Sequence, residues 1–329
     1  MEQIKFPSQK GKYFNVKAYV GFGLDLSLNH RQIKRFLNEM ESLSEFYELK
    51  ISDEYILKNI SFKYIENIDT SDEKLTSLFR KEAYIFLIEF NTEQTVFHGF
   101  YTLIRYHIEK RIQDLTIALS IAYKGLLHFL SGLIYFDGKL LLEAPMLIHD
   151  INFSFQRSKE LKWPKIKLLK LRAVINWLNF FTEETDGLSK TKIGRALNAY
   201  SHLFMTKGGE DDQAALFWAL LGIEALYANS KENIQHQVNT NSQLFLGERT
   251  DFKKSFRDLY EYRSRFVHGD LNFNNQFVLK NGTDEFTTGI KRFSENEHFA
   301  VAILLSSFQK LITKNMYDIN FISKTIIKS

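Results

Sequence analysis

Two hydrophobic periods run through the first half of the chain. Tyr13 to Phe22 (YFNVKAYVGF) is rich in aromatic and β-branched residues and predicts a strand. From Leu28 to Leu49, apolar residues recur three and four apart through Ile33, Phe36, Leu37, Met40 and Leu43, which predicts an amphipathic helix. Tyr55 to Ile65 and Ala83 to Phe90 read as strands. Thr95 to Tyr123 carries a long helical period through Leu103, Ile104, His107, Ile108, Ile112, Leu115 and Leu119. Tyr135 to Leu142, with Asp137-Gly138 at its turn, predicts a β-hairpin. Phe153 to Phe155 reads as a further edge strand.

The texture changes near Arg157, and from Pro164 onward helical patterns dominate. Helices are predicted at about Pro164–Phe181, Ser189–Met205, Asp211–Ala228, Asn233–Phe245, Asp251–Val267 and Glu295–Lys314. Pro164 suits a first helical position, and Ser189 and Asp251 suit caps near the starts of theirs. Gly208-Gly209, Gly247 and Gly269 punctuate helix ends. Asp270 to Gly289 is rich in Asn and Gly and reads as a loop, with room for a short strand at Gln276–Leu279. The predicted fold class is therefore α+β. A mixed α/β region spans residues 1–156 and an all-α helical bundle spans residues 157–329. The length of 329 residues agrees, since domains average about 150 residues.

Composition removes several kinds of chemistry. The chain has no Cys, which excludes a thiolate nucleophile, a Cys-based zinc site and an iron–sulfur cluster. With only 3 Pro and 16 Gly, long disordered linkers are not expected. The first residues, MEQIKFPSQKGKYF, lack the apolar core of a signal peptide, and the expected compartment is the cytoplasm. Ile117 to Phe136 (IALSIAYKGLLHFLSGLIYF) is about long enough to span a bilayer. Lys124 lies near its middle, where a charge costs about 2.5 to 3.5 kcal/mol, so a buried helix running into a strand is the better reading. The net charge of +4 permits nucleic-acid binding without demanding it.

The segment with most chemical content is Leu259 to Asp270, LYEYRSRFVHGD. Its Arg263 and His268 stand five apart. The helix leading into them is amphipathic, through Phe252, Phe256, Leu259 and Tyr260, and Gly269 follows the His. An Arg fork can hold two phosphate oxygens, and an imidazole that ordinarily titrates near pH 6.5 can give or take a proton at neutral pH. Five residues along an α-helix give about 7.5 Å of rise and about 140° of rotation. Arg263 and His268 therefore converge only if the helix ends near His268 and Arg263 extends toward it.

YRSRFVHG resembles the Arg-x4-6-His signature of HEPN domains, and more closely the motif helix of ApeA-like HEPN domains. Three further segments are similar to that family in order and spacing. IGRALNAYSHLF (193–204) resembles its early helix, and ALFWALLGIEALYA its central helix with an internal Glu. LFLGER (244–249) resembles the connection before the motif helix. The resemblance covers about Lys165 to Lys314. It implies metal-independent RNA cleavage with Arg263 and His268 as catalytic residues and no cofactor. It also implies a homodimer in which two motifs form one composite site, and a role as a toxin or in prokaryotic antiviral defence. A regulatory or antitoxin partner is consistent with it. Some HEPN toxins carry a modifiable Tyr two residues after the motif His; here that position is Asp270, so no such modification is expected. The alternative is a catalytically inactive HEPN domain that dimerises or binds RNA.

Other residues carry weaker signals. Ser264 either supports the site with a hydrogen bond or is solvated. Glu224 lies in an apolar helix between Ile223 and Ala225, where a carboxylate usually has a partner, Arg263 or Arg195. Arg265 is either solvent-exposed or phosphate-binding. Tyr260 and Tyr262 suit base stacking or core packing. The basic run from Arg157 to Arg172 reads as a solvated helix face or a phosphate track. His98, His107, His128 and His149 show no metal-ligand spacing, and Gly21-x-Gly23 lacks a following phosphate-loop pattern. Residues 1–156 carry no catalytic constellation and read as a sensor, a regulator or a structural layer.

Overall fold

The computed structural model describes residues 12–23, 30–41, 49–52, 55–65, 71–81, 84–94, 100–123, 128–136, 138–144, 151–182, 187–204, 213–249, 253–270 and 284–321. The chain is α+β and forms two compact units. The first comprises residues 1–119 and 126–147; the second comprises 120–125 and 148–329.

The first unit is built on a six-stranded antiparallel sheet. Its strands are β1 (Lys12–Gly23), β2 (Leu49–Ser52), β3 (Tyr55–Ile65), β4 (Tyr84–Gln94), β5 (His128–Phe136) and β6 (Lys139–Ala144), in the order β2-β3-β4-β1-β5-β6. Helices α1 (His30–Glu41), α2 (Glu73–Lys81) and α3 (Phe100–Ala122) complete the elements described before residue 123. Side chains alternate across a strand, and β1 has one buried face and one partly buried face. Val16, Ala18 and Val20 are buried on one. On the other, Tyr19 packs edge-on to Tyr135, joining Leu75 and Leu78 of α2 with Ile85 and Leu133. Asp72 caps α2 by accepting from the Lys74 and Leu75 amides, and the Tyr135 hydroxyl also donates to it. These bonds hold the Asp72 carboxyl below its ordinary range, with the Leu75 amide the largest cause. Gly21 sits in β1 where pairing with β5 shifts register, so the Gly21-x-Gly23 spacing belongs to a strand irregularity.

The second unit is helical. It contains α4 (Asn152–Glu160), α5 (Leu171–Asn179), α6 (Lys192–His202), α7 (Gln213–Tyr227), α8 (Ile234–Leu246), α9 (Lys253–His268) and α10 (Asp284–Thr313). Helix α10 forms its axis. From Phe299 to Leu305 every residue is buried, the mark of a helix surrounded by others. Its buried polar residues from Ser306 to Gln309 are satisfied internally. Ser307 meets the Tyr227 hydroxyl at 2.6 Å, and Ser306 donates to the Lys165 carbonyl at 2.8 Å. Gln309 donates to the carbonyls of Ile121 and Lys167, each at 2.7 Å, and accepts from the Lys167 amide at 2.8 Å. Helix α7 comes close at Gly222, where a Cβ would stand 2.8 Å from Leu304.

Several predicted boundaries need correction. Phe153–Phe155 is part of helix α4, which packs on α10 and ties Arg157 to Glu295 at 3.1 Å, so the unit boundary falls after residue 147 rather than after 156. Pro164 does not begin a helix; α5 starts at Leu171. The intervening strap finds its backbone partners in Gln309, Ser306 and the Ala122 carbonyl, so it needs no helical bonds. The basic run 157–172 is thus split among α4, the strap and α5. Thr191, rather than Ser189, caps α6 by accepting from the Gly194 amide. Helix α10 begins at Asp284, inside the stretch read as loop. The predicted Asp251 cap and the 276–279 strand lie outside the described residues, as do His98 and His149. Helix α2 and strand β2 went unpredicted. Among the described residues, no helix is long and apolar enough to cross a membrane.

Candidate active site

Helix α9 places its residues by its period. Phe256, Leu259 and Tyr260 are buried, and the same stripe continues one turn later at Arg263, which leaves the core at its edge. Glu224 of α7 meets it there. Arg263 donates from Nε to Oε1 at 3.0 Å and from Nη2 to Oε2 at 3.2 Å, a bidentate pair. Both partners are largely shielded, at 28% and 14% side-chain exposure. Arg195 is elsewhere, donating to the Lys190 carbonyl from an exposed position. Of the two partners expected for Glu224, the structure selects Arg263.

The rest of the motif is more open. Ser264 and His268 are exposed. Arg265 is exposed and closes the helix end: it donates to the Asp270 carbonyl at 3.2 Å, while the Asp270 amide donates back to the Arg265 carbonyl at 2.8 Å. The helix runs to His268, and Gly269 takes φ +75°, the left-handed terminator that the Gly predicted. The second condition for convergence is not met, because Arg263 turns toward α7 and Glu224 instead of extending along α9. Among the described residues, His268 forms no hydrogen bond or ion pair with another side chain. Tyr260 is buried, and burial, followed by the Glu224 charge, pushes its phenol well above the ordinary range. Tyr262 packs on Phe293 with ring centroids 5.7 Å apart. Core packing thus claims both tyrosines more than base stacking does.

Arg263 and Ser264 line a cleft of about 680 Å³ between α8 and α9. Lys231, Arg249, Arg257 and His236 line it too, and among the described residues no Asp or Glu does. None of these four was singled out by the sequence. LFLGER read only as a connection, and nothing in one dimension reveals that Arg249 stacks against Phe256 and Trp163. Among the described residues, no group of three or more His, Asp or Glu is placed to hold a metal ion.

No family model matches the chain, and neither a curated protein nor a solved structure matches it.

Glu224→Gln tests the clamp. It is expected to cost about 2 kcal/mol, between the 0–1 kcal/mol of a surface pair and the 3–5 kcal/mol of breaking a buried one. Denaturant unfolding of the single variants and of Glu224→Gln with Arg263→Ala checks this. The two changes should be strongly non-additive if the pair is the interaction being measured.

Proposed function

We propose that the protein is a metal-independent endoribonuclease of the HEPN type. The observation that carries the reading is Arg263, preset by the Glu224 clamp at the wall of a cleft lined by several cations. His268 stands five residues on, exposed at the same helix end. RNA supplies its own nucleophile. The 2′-oxygen attacks the adjacent phosphorus while His268 takes its proton, the bond to the 5′-oxygen breaks, and that oxygen receives a proton. The products are a 2′,3′-cyclic phosphate and a 5′-hydroxyl. Arg263 holds the phosphate oxygens as charge builds on them.

One imidazole cannot sit on both sides of the phosphorus at once. A homodimer placing two α9 ends around one phosphate supplies a second His268 as the acid, together with a second Arg263. Defence against phage or action as a toxin is the corresponding biology, in the cytoplasm, with a regulatory or antitoxin partner as one means of restraint. Because the proton transfers use imidazole and the charge is met by guanidinium, cleavage should be unchanged in EDTA. Loss of cutting in EDTA, restored by Mg²⁺, contradicts the mechanism.

A second reading has its own observation. The Arg263 fork is already occupied by Glu224, as in a structural ion pair, which favours a non-catalytic HEPN module for dimerisation or RNA binding. The two readings separate at His268→Ala, which leaves the second untouched.

A further inference from the structure

Arg249 is an unusual cation. Its guanidinium lies 4.5 Å from the Phe256 ring centroid and 5.5 Å from that of Trp163. Nη2 donates to the Asn239 side chain, while Nε and Nη1 are buried without an acceptor. Among the described residues, no carboxylate pairs with it. Burial pushes its pKa down, the direction for a charge short of compensation. A shielded cation left without a counter-charge is costly unless an anion meets it.

The surroundings point the same way. Arg249 lines the cleft that Arg263 and Ser264 line, and Lys231, Arg257 and His236 are exposed there. Arg257 and Ser264 stand seven apart on α9, two turns along one face. The first turn of α8 also lines the cleft, through Ile234, Gln235 and His236. Its N-cap, Asn233, makes no side-chain cap bond, so the positive end of that helix is not offset by its own cap. The cleft thus combines a half-buried guanidinium, two exposed cations and a helix N-terminus, with no acid in its lining among the described residues.

We propose that this cleft is the track for the phosphate backbone of single-stranded RNA, with Arg249 its anchor and Lys231 and Arg257 its outer contacts. The proposal rests on the ribonuclease reading and deepens it. The cleft delivers the strand to Arg263, and the affinity for RNA lies in Arg249, Lys231 and Arg257 rather than in the motif. Recognition is of phosphates, so sequence preference in binding is weak and salt dependence is strong.

The test uses the full chain and a fluorescent single-stranded 2′-O-methyl oligonucleotide, which lacks the nucleophile and is not cut. Anisotropy titrations across salt concentrations compare the wild type with Arg249→Met and with Lys231→Gln/Arg257→Gln. The double variant, changed only at exposed positions, is expected to bind more than tenfold more weakly at low salt. Its salt slope should fall by about 1.4, or about 0.7 for each lost phosphate contact. Arg249→Met should weaken binding comparably, and Arg249→Lys should restore part of it. If Arg249→Met does not fold by circular dichroism, the double variant alone decides. An RNA-cutting wild type whose affinity and salt slope ignore these residues overturns the track and leaves the ribonuclease standing. Weakened variants beside a wild type that binds but never cuts support the track and overturn the ribonuclease. A wild type that neither binds nor cuts RNA overturns both.

Discussion

His268→Ala is expected to abolish RNA cleavage while leaving the fold intact. His268 is exposed and terminates α9, so removing the imidazole opens no cavity and breaks no ion pair among the described residues. The chain reversal after it belongs to Gly269 and to the mutual bonds of Arg265 and Asp270. Stability should therefore change by no more than about 0.5 kcal/mol, the usual size for a surface substitution. Activity should drop much further. In a composite site each copy contributes one imidazole, as base or as acid, so one substitution removes both proton-transfer groups. Each is worth about 10²- to 10⁴-fold. Arg263→Ala should cut the rate nearly as far, because residues acting as one unit are not additive. It should also destabilise, since it leaves the Glu224 carboxylate shielded and unpaired. Rate measurements paired with thermal melting distinguish the two: a silent change in stability for His268, a coupled loss for Arg263. A His268→Ala protein that melts like the wild type and cuts RNA at the wild-type rate removes His268 from the mechanism.

The largest effect on stability is expected from Gln309→Leu. Leu is close to Gln in size, so packing around α10 changes little. Three backbone groups lose their partner: the Lys167 amide, the Lys167 carbonyl and the Ile121 carbonyl. Gln309 itself is 4% exposed. A buried polar group left unsatisfied costs about 1–3 kcal/mol. Water reaching the strap recovers some of this, so the net expectation is a loss of about 3 kcal/mol. For a unit of this size that lowers the melting temperature by about 10 °C. Ser306→Ala, which releases only the Lys165 carbonyl, should cost about 1 kcal/mol. Equal losses from the two variants contradict the hydrogen-bond account.

The same glutamine explains part of what the chain pattern concealed. Residues 164–170 are apolar and basic at near-helical spacing, and read as a helix. Their backbone is instead satisfied by side chains more than a hundred residues away, a contact that no local window contains. Where burial follows local periodicity, the reading held. The central strands, α3, the β5–β6 hairpin and the bundle helices from α6 to α9 fall within a few residues of their predicted places. Of the site, Arg263 and its Glu224 partner were legible because a carboxylate in an apolar helix demands a cation. Arg249 was not, because its distinction is what it lacks: an acceptor for two of its nitrogens. The cleft was equally hidden, since its cations come from positions 231 to 263 on separate elements.

Cutting by Arg263 and His268 is tested most directly by the ends it leaves on RNA. The measurement incubates the purified full chain with single-stranded RNA in EDTA and identifies the new ends. New ends bearing a 2′,3′-cyclic phosphate and a 5′-hydroxyl are expected for the wild type, and none for His268→Ala. No new ends from the wild type, ends bearing a 5′-phosphate, or the same ends from His268→Ala would contradict it.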